Sequence, residues 1–299
     1  MADPQDVLNQ VRKNHDFFIG IDSDGCAFDT MEIKHKECFC PNFIEHFHCQ
    51  SVSKYTREAW EFVNLYSKTR GCNRWLAVQH VLRLLHARPE VQRRGANFTK
   101  GEHIDAFIAA NTTYSNETMA TFIEQQTDPD LKQKLQAALD WSLAVNLTIG
   151  RMVHDVPPFP FVRESLETAG EKADMIVVSQ TPVEALEREW REHDIAKHVQ
   201  AIAGQEMGKK SEHIALGAQD RYEPEKMLMI GDAPGDYKAA QANNALFYPV
   251  NPGEEEASWE RFHNEALAKF FDGTFAGDYQ KALLDEFDSF LPEQPPWEK

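Results

Sequence analysis

Two aspartates at the end of an apolar segment are the side chains of this sequence best suited to chemistry. The segment "FFIGIDSDGCAFDT" covers residues 17 to 30, and Asp22 and Asp24 follow its apolar start, with Gly25 directly after them. Residues two apart on an extended chain point to the same side, so both carboxylates can act at one site. Turn formation and helix capping are the ordinary roles of such aspartates. A carboxylate pair can also supply a nucleophile, a general acid or base, or metal ligands.

Three further groups of polar side chains follow other apolar segments. In chain order they are Ser179 with Gln180 and Thr181 after "MIVV", Lys209 with Lys210 after "VQAIAG", and Asp232 with Asp236 after "MLMI". Each group alone is explained by a cap, a solvated surface or a turn. Because ligands in open α/β sheets bind beyond the carboxyl ends of the strands, the four groups together favour one shared site.

Short apolar segments, each apolar on both alternating faces, predict the buried strands that position these groups. The strand segments are 17–21, 174–179, 199–204, 226–232 and 245–250. Helical patterns lie between the later strands, at 162–168, 183–193, 211–218 and 237–242. Strands that alternate with helices indicate a parallel sheet covered on both faces. The predicted fold class is therefore α/β, with a doubly wound, Rossmann-like core.

The segment between the first strand and the later strands has long helical patterns instead. Asp128 with Pro129 predicts a helix start, and Thr99 with Glu102 predicts a capping box. We expect an all-helical cap domain over 31–157, inserted into a core of residues 1–30 and 158–299. Two amphipathic helices, at 257–271 and 279–290, extend this core, and the sequence allows them either to pack on it or to form a dimer surface.

The four groups, in this order and spacing, resemble the motifs of the haloacid dehalogenase-like superfamily. The matching segments are "DSDGCAFDT", "IVVSQTP", "GKKSEHIAL" and "MIGDAPGDYKAAQA". The resemblance covers the chain from about residue 16 to about residue 250, apart from the inserted helices. The sequence is similar in particular to the phosphatase branch of this superfamily that has a helical cap, as in phosphoglycolate phosphatase-like proteins.

The resemblance implies hydrolysis of a phosphate monoester. Asp22 would be the nucleophile that takes the phosphoryl group as an aspartyl phosphate, and Asp24 would be the general acid and base. Ser179 would donate to a phosphoryl oxygen. Lys209 would cancel phosphate charge, and the register favours it over Lys210, because an apolar helix residue follows five positions later.

A magnesium ion completes the implied site, because a carboxylate does not readily attack a phosphate anion. Its ligands would be the Asp22 side chain, the Asp24 main-chain carbonyl and Asp232, with Asp236 as a ligand or support. Gln180 is a further predicted substrate-binding residue. In the inserted domain Arg70 is another, because a guanidinium can grip an anionic group.

Two departures from the family pattern and several alternatives bear on this interpretation. Cys26 stands where threonine is usual, and Asp24 argues against dehalogenation and against phosphonate cleavage with a cap lysine such as Lys54 or Lys68. A phosphomutase, or a non-catalytic relative that binds a phosphorylated metabolite, would retain similar motifs. The cluster "HKECFCPNFIEHFHC" invites a zinc hypothesis, but its spacing matches no common structural zinc pattern, and packed histidines and buried cysteines are the favoured interpretation.

Composition limits the partners and the location. Acidic residues outnumber basic ones, 48 to 31, and the formal net charge of −17 disfavours binding to nucleic acid or to anionic membranes. Five cysteines in the first quarter of the chain fit reduced thiols. No segment approaches the ~20 apolar residues of a membrane span, and the N-terminus does not resemble a signal peptide. We expect a cytoplasmic protein whose partner is a small phosphorylated metabolite, with a homodimer as one possibility.

Overall fold

The protein is described here from a computed structural model that covers residues 5–298. The chain forms two compact units. We call residues 5–31 with Asp155–Leu291 the core unit, and Glu32–His154 with residues 292–298 the helical unit. The C-terminal residues 292–298 group with the helical unit, whereas the sequence assigned them to the α/β core.

The core unit is built on one parallel sheet. Its strands are β1 (Phe17–Ile21), β2 (Ala173–Val178), β3 (Ala201–Ala203), β4 (Met227–Gly231) and β5 (Leu246–Pro249). The strand order is β3-β2-β1-β4-β5, and every neighbouring pair is parallel. All five strands coincide with predicted segments to within a few residues, and the predicted fold class is confirmed.

Helices make up most of the remaining structure. In chain order the α-helices are α1 (Asp6–Asn9), α2 (Thr30–Ile33), α3 (Cys40–His46), α4 (Ser53–Asn64), α5 (Arg74–Ala87), α6 (Pro89–Arg93), α7 (Glu102–Ala110), α8 (Asn116–Glu124), α9 (Pro129–Met152), α10 (Val162–Ala169), α11 (Val183–Glu192), α12 (Lys210–Ala218), α13 (Pro234–Ala242), α14 (Glu255–Arg261), α15 (Leu267–Phe271) and α16 (Asp278–Phe290). π-helical turns cover Lys34–Phe39 and Phe262–Ala266. Short 3₁₀ turns cover Gln50–Val52, Ala196–His198, Gln205–Met207, Pro224–Lys226 and Pro296–Glu298.

The sheet has an apolar core on each face, which explains why its strands are apolar apart from Asp174 of β2. On β1, Ile19 and Ile21 belong to one buried cluster, while Phe18 belongs to the other. The strands β2 and β4 divide their side chains in the same alternating way. Burial of both faces is the arrangement expected of a doubly wound sheet, because helices cover each face and the strand side chains on both faces are removed from water.

The C-terminal helices of the core unit pack on the sheet. Trp259, Phe262 and Phe270 lie in the cluster on one face, and Phe287 of α16 lies in the cluster on the other. These side chains therefore pack within the core unit, which is one of the two arrangements that the amphipathic pattern allowed. Within residues 5–298, no helix is both long and apolar enough to cross a membrane.

The helical unit encloses a separate aromatic core, in which Trp60, Trp75 and Trp141 are fully buried. Asp128 caps α9 as predicted, since its Oδ1 accepts from the amide of Asp130 at 3.0 Å. The capping box predicted for α7 is wrong. The residue before that helix is Gly101 in a left-handed conformation, and the Thr99 hydroxyl accepts the Gly101 amide instead.

Candidate active site

Three of the predicted site residues lie at the carboxyl edge of the sheet, because each follows the end of a parallel strand. Asp22 follows β1 at the centre, Ser179 follows β2 on one side, and Asp232 follows β4 on the other. All three side chains are buried. The strand order therefore brings together residues that are far apart in the sequence.

The turn after β1 holds the two aspartates in a tight backbone arrangement. Gly25 has φ +73°, a conformation that glycine adopts without strain. The Ser23 carbonyl accepts the amides of Ala27 at 2.9 Å and Phe28 at 3.0 Å. The Ser23 amide donates to Oδ1 of Asp22 at 2.8 Å. The backbone of the turn and the Asp22 carboxylate are thus linked, and we call residues 22–28 the aspartate turn.

Asp24 is held by two hydroxyl groups. Thr181 Oγ1 donates to Oδ2 at 2.5 Å, and the Thr30 hydroxyl donates to Oδ1. Thr181 follows β2, and Thr30 lies at the start of α2. The sequence motifs implied no role for either threonine, although Thr181 belongs to the same polar group as Ser179. Together they fix both oxygens of this carboxylate.

The lysine that reaches the site is Lys210. Its Nζ donates to Oδ2 of Asp22 at 2.7 Å and to Oδ1 of Asp236 at 2.6 Å. Burial lowers the pKa of Lys210, but Asp22 and Asp236 outweigh this effect and raise the pKa above its usual range, so the amine stays charged. The geometry therefore corrects the choice of Lys209 made from the sequence.

Lys209 instead provides the N-cap of α12. Its backbone amide donates to Oε2 of Glu212 at 2.8 Å, and its side chain is exposed. Lys210 is the first residue of the helix and lies on the same helical face as the buried His213 and Ile214. The acid three residues after Lys209 was the overlooked signal, because an acid at this spacing marks a helix N-cap.

Three aspartates form the place where a metal ion could bind. One carboxylate oxygen each from Asp22, Asp232 and Asp236 lies within 4.8 Å of the others. Among residues 5–298, this is the only such grouping of histidine, cysteine or acidic side chains. Gly231 allows the Asp236 side chain to lie close to the end of β4, since a Cβ added to Gly231 would lie 2.4 Å from Cβ of Asp236.

The charges in this cluster fit a divalent cation. Three carboxylates and Lys210 leave an excess of two negative charges when all four groups are ionised. Burial raises the pKa of Asp22 well above its usual range, Lys210 opposes this, and Asp236 and Asp232 add to it. A hard cation with oxygen ligands, such as Mg²⁺, would relieve this repulsion and match the donor atoms.

Cys26 lies in the aspartate turn but has no reactive thiolate. It is fully buried, and burial together with Asp232, Asp22 and Asp236 raises the pKa of its thiol well above the usual range. The thiol therefore stays protonated, and its environment is that of a structural cysteine.

The other predicted residues have these positions. The buried Ser179 hydroxyl accepts the Thr181 amide at 3.2 Å, which leaves its proton for another acceptor. Gln180 donates to the carbonyls of Gly208 and Ser179 at 2.9 and 3.2 Å. Arg70 is buried in the helical unit and donates to the Leu65 carbonyl at 2.8 Å. This contact gives Arg70 a structural use and adds no support for substrate binding.

Three cysteines and His35 of the cysteine and histidine cluster are used in packing, whereas His48 is exposed. Cys38, Cys40 and Cys49 are buried, and the His35 ring stacks on Phe39 with centroids 4.8 Å apart. Trp60 Nε1 donates to Nδ1 of His35 at 3.2 Å. These contacts agree with the interpretation of this cluster as part of an apolar core.

The fold and these side chains define an α/β protein with a buried acidic site at the carboxyl edge of a parallel sheet. No protein-family model and no curated protein matches the sequence. Solved structures that it resembles include a haloacid dehalogenase-like hydrolase from Streptococcus pneumoniae, with 13% identity, a TM-score of 0.43 and coverage of 83% of this chain and 91% of the other. A haloacid dehalogenase-like hydrolase from Xanthomonas campestris has 12% identity and a TM-score of 0.44, with coverage of 88% and 95%.

A third solved structure is described as a predicted phosphoglycolate phosphatase from Haemophilus somnus. It has 11% identity to this chain and a TM-score of 0.43, and the match covers 81% of this chain and 88% of the other. At this level of identity and superposition, the function proposed below rests on the site of this chain itself.

Proposed function

We propose that this protein is a Mg²⁺-dependent phosphohydrolase that cleaves a small organic phosphate monoester through an aspartyl phosphate on Asp22. The observation that carries the proposal is the buried Asp22, which accepts from the charged Lys210 and lies beside Asp232 and Asp236. Such a site places a lysine, and carboxylates suited to a divalent cation, around Asp22 at the edge where α/β proteins bind ligands.

In the first half-reaction, Asp22 attacks the phosphorus atom of the ester. A bond forms between its carboxylate oxygen and phosphorus, and the bond from phosphorus to the ester oxygen breaks. Lys210 offsets the charge of the phosphoryl oxygens, and the Ser179 hydroxyl donates to one of them. Asp24 gives a proton to the departing ester oxygen, so the product leaves as an alcohol.

In the second half-reaction, water attacks phosphorus and the bond to Asp22 breaks. Asp24, now ionised, takes a proton from this water, and inorganic phosphate and the free Asp22 carboxylate are restored. The hydroxyls of Thr181 and Thr30 keep the Asp24 carboxylate oriented for both transfers. Bound through Asp22, Asp232 and the Asp24 carbonyl, with Asp236 as a ligand or support, Mg²⁺ would supply Lewis-acid neutralisation of phosphate charge.

The proposal is tested by measuring phosphate released from a panel of phosphorylated metabolites and from p-nitrophenyl phosphate. We expect release with Mg²⁺ and none after EDTA treatment, with recovery on addition of Mg²⁺. Lack of release from every ester under Mg²⁺ would refute the proposal.

Asp232→Asn should weaken the response to metal. The amide lacks the charge that favours a divalent cation, so we expect the Mg²⁺ concentration for half-maximal turnover to rise at least about tenfold. The matched control is Asp285→Asn, an exposed aspartate of α16 in the same unit. An equal Mg²⁺ dependence of the two variants would exclude Asp232 as a ligand.

Asp24→Asn should slow turnover in a way that depends on the leaving group. An alkyl phosphate needs its oxygen protonated, and we expect kcat to fall about 10²- to 10⁴-fold for it. An aryl phosphate with a good leaving group should lose less in the first half-reaction, because its oxygen departs without a proton. The rate of the first half-reaction is measured for each ester as the release of its alcohol or phenol in a single turnover, with p-nitrophenyl phosphate as the aryl ester. Equal losses for the two esters in the first half-reaction would contradict the acid role.

A further inference from the structure

We propose that Trp190 and Trp259 are positioning residues whose indole N–H groups hold the aspartate turn in its catalytic geometry. This proposal rests on the proposed function, because it concerns the placement of Asp22 and Asp24. Neither tryptophan belongs to the four sequence groups that suggested the site, and each donates a hydrogen bond to a different residue of the turn.

Trp190 holds the residue between the two aspartates. Its Nε1 donates to Ser23 Oγ at 3.0 Å, and Ser23 Oγ donates to Oε2 of Glu189 at 3.3 Å. The acceptor Glu189 orients the hydroxyl proton away from Trp190, which leaves a lone pair of Ser23 for the indole. The Trp190 ring also meets Phe28 edge-on, with centroids 5.9 Å apart. One tryptophan thus contacts both ends of the turn.

Trp259 holds the middle of the turn from another element. Its Nε1 donates to the carbonyl of Cys26 at 2.7 Å, and its ring packs edge-on against Phe262, with centroids 5.5 Å apart. Trp259 belongs to α14, which follows the last strand of the sheet, whereas Trp190 belongs to α11. Trp190, Trp259 and Ser23 are all fully buried, so water cannot replace either indole without a rearrangement.

These two hydrogen bonds do what the internal bonds of the turn cannot do. The bonds accepted by the Ser23 carbonyl give the turn its shape, but they do not fix the turn to the rest of the core. Two backbone bonds of 3.0 Å do so in part, from the Asp22 amide to the Ile230 carbonyl and from the Phe159 amide to the Ala27 carbonyl. The indole bonds tie it to two helices, and a tryptophan is a rigid anchor because its ring has only two side-chain torsions. Since the Ser23 amide also bonds to Asp22, a shift of the turn moves the nucleophile. Displacements of about 1 Å at a reacting group can cost about 10²-fold in rate.

The test compares Trp259→Phe and Trp190→Phe with Trp75→Phe. Trp75 is a matched control because it is fully buried and its Nε1 has no hydrogen-bond partner within residues 5–298. We expect kcat for p-nitrophenyl phosphate to fall about tenfold in each of the first two variants, while KM changes less than about twofold. Trp75→Phe should leave kcat within about twofold of the wild type.

Hydrogen exchange of the amides of residues 23–28 provides a readout that does not depend on turnover. We expect faster exchange of these amides in Trp259→Phe and Trp190→Phe than in the wild type and in Trp75→Phe. Should a phenylalanine variant fail to fold, 3-benzothienylalanine at the same position keeps the bicyclic ring and replaces the N–H by sulfur, and the same changes are expected.

The outcomes separate this proposal from the proposed function. An active wild type whose Trp259 and Trp190 variants match Trp75→Phe in kcat and in exchange would overturn the positioning role. A wild type that releases no phosphate from any ester would refute the phosphohydrolase, and the exchange data would then decide alone whether the indoles hold the turn.

Discussion

Asp22→Asn is expected to abolish turnover of p-nitrophenyl phosphate and to leave the protein folded. An amide oxygen is too weak a nucleophile to attack phosphorus, so we expect a loss of about 10⁴-fold or more in kcat. The shape of the side chain is retained, and its Oδ1 can still accept the Ser23 amide. Circular dichroism and the midpoint of thermal unfolding serve as the control for folding. Activity close to that of the wild type would end the assignment of Asp22 as nucleophile.

The second large effect is expected for Lys210→Met and not for Lys209→Met. The first change removes the charge beside Asp22 and Asp236, and we expect kcat/KM to fall about 10²- to 10³-fold. The second change affects an exposed side chain, and we expect less than about a twofold effect. The two adjacent lysines are matched controls for each other. A larger loss for Lys209→Met would show that the sequence-based choice was right.

Stability in the absence of metal offers an independent check on Lys210→Met. Removing the lysine leaves the buried carboxylates of Asp22 and Asp236 without its charge, at a cost of about 3–5 kcal/mol in the free energy of unfolding at neutral pH. Burial and the neighbouring acids raise the pKa of Asp22 in the folded protein, so the folded state binds more protons than the unfolded state. The loss in free energy of unfolding of Lys210→Met relative to the wild type should therefore shrink as the pH is lowered. It should grow as the pH rises through the pKa of Asp22 in the folded protein.

The sequence predicts the sheet well because the apolar pattern of each strand can be recognised from the strand's own residues. Each strand is a short apolar segment, and the core on each face of the sheet demands that pattern. The polar groups that follow β1, β2 and β4 could therefore be assigned to one edge without any contact information. To place Asp22, Ser179 and Asp232 at one site, it was enough to know that the carboxyl ends of parallel strands lie at the same edge of a sheet.

The choice between Lys209 and Lys210 required the exact start of α12. Consecutive residues at a helix start point about 100° apart, so an error of one position exchanges the buried lysine and the exposed one. The amide of Lys209 bonds to Glu212, and this contact fixes the start of the helix. A count made from family spacing did not include that bond.

The tryptophans could not be assigned a role from the sequence. Trp190 lies 167 residues from Ser23, and Trp259 lies 233 residues from Cys26. Both read as ordinary apolar members of amphipathic helices, which they also are. Their indole N–H groups find acceptors only through the tertiary packing of α11 and α14.

The C-terminal segment was also beyond sequence reasoning. Its proline-rich composition has no period from which a packing face could be read. In the helical unit, the Trp297 ring lies 4.5 Å from the guanidinium of Arg88, which also pairs with Glu58 at 2.5 Å. A cation–π contact with a buried arginine explains why a short segment without an apolar pattern groups with these helices.

Trapping the phosphoryl group on the enzyme shows directly whether Asp22 is the nucleophile. The wild type is mixed with p-nitrophenyl phosphate and Mg²⁺, quenched during turnover and treated with borohydride, which reduces an aspartyl phosphate to homoserine. Peptide mass spectrometry then locates the converted residue. We expect homoserine at position 22 in the wild type and none in the Asp22→Asn variant. Conversion of a different aspartate, or full turnover with no residue converted, would contradict this expectation.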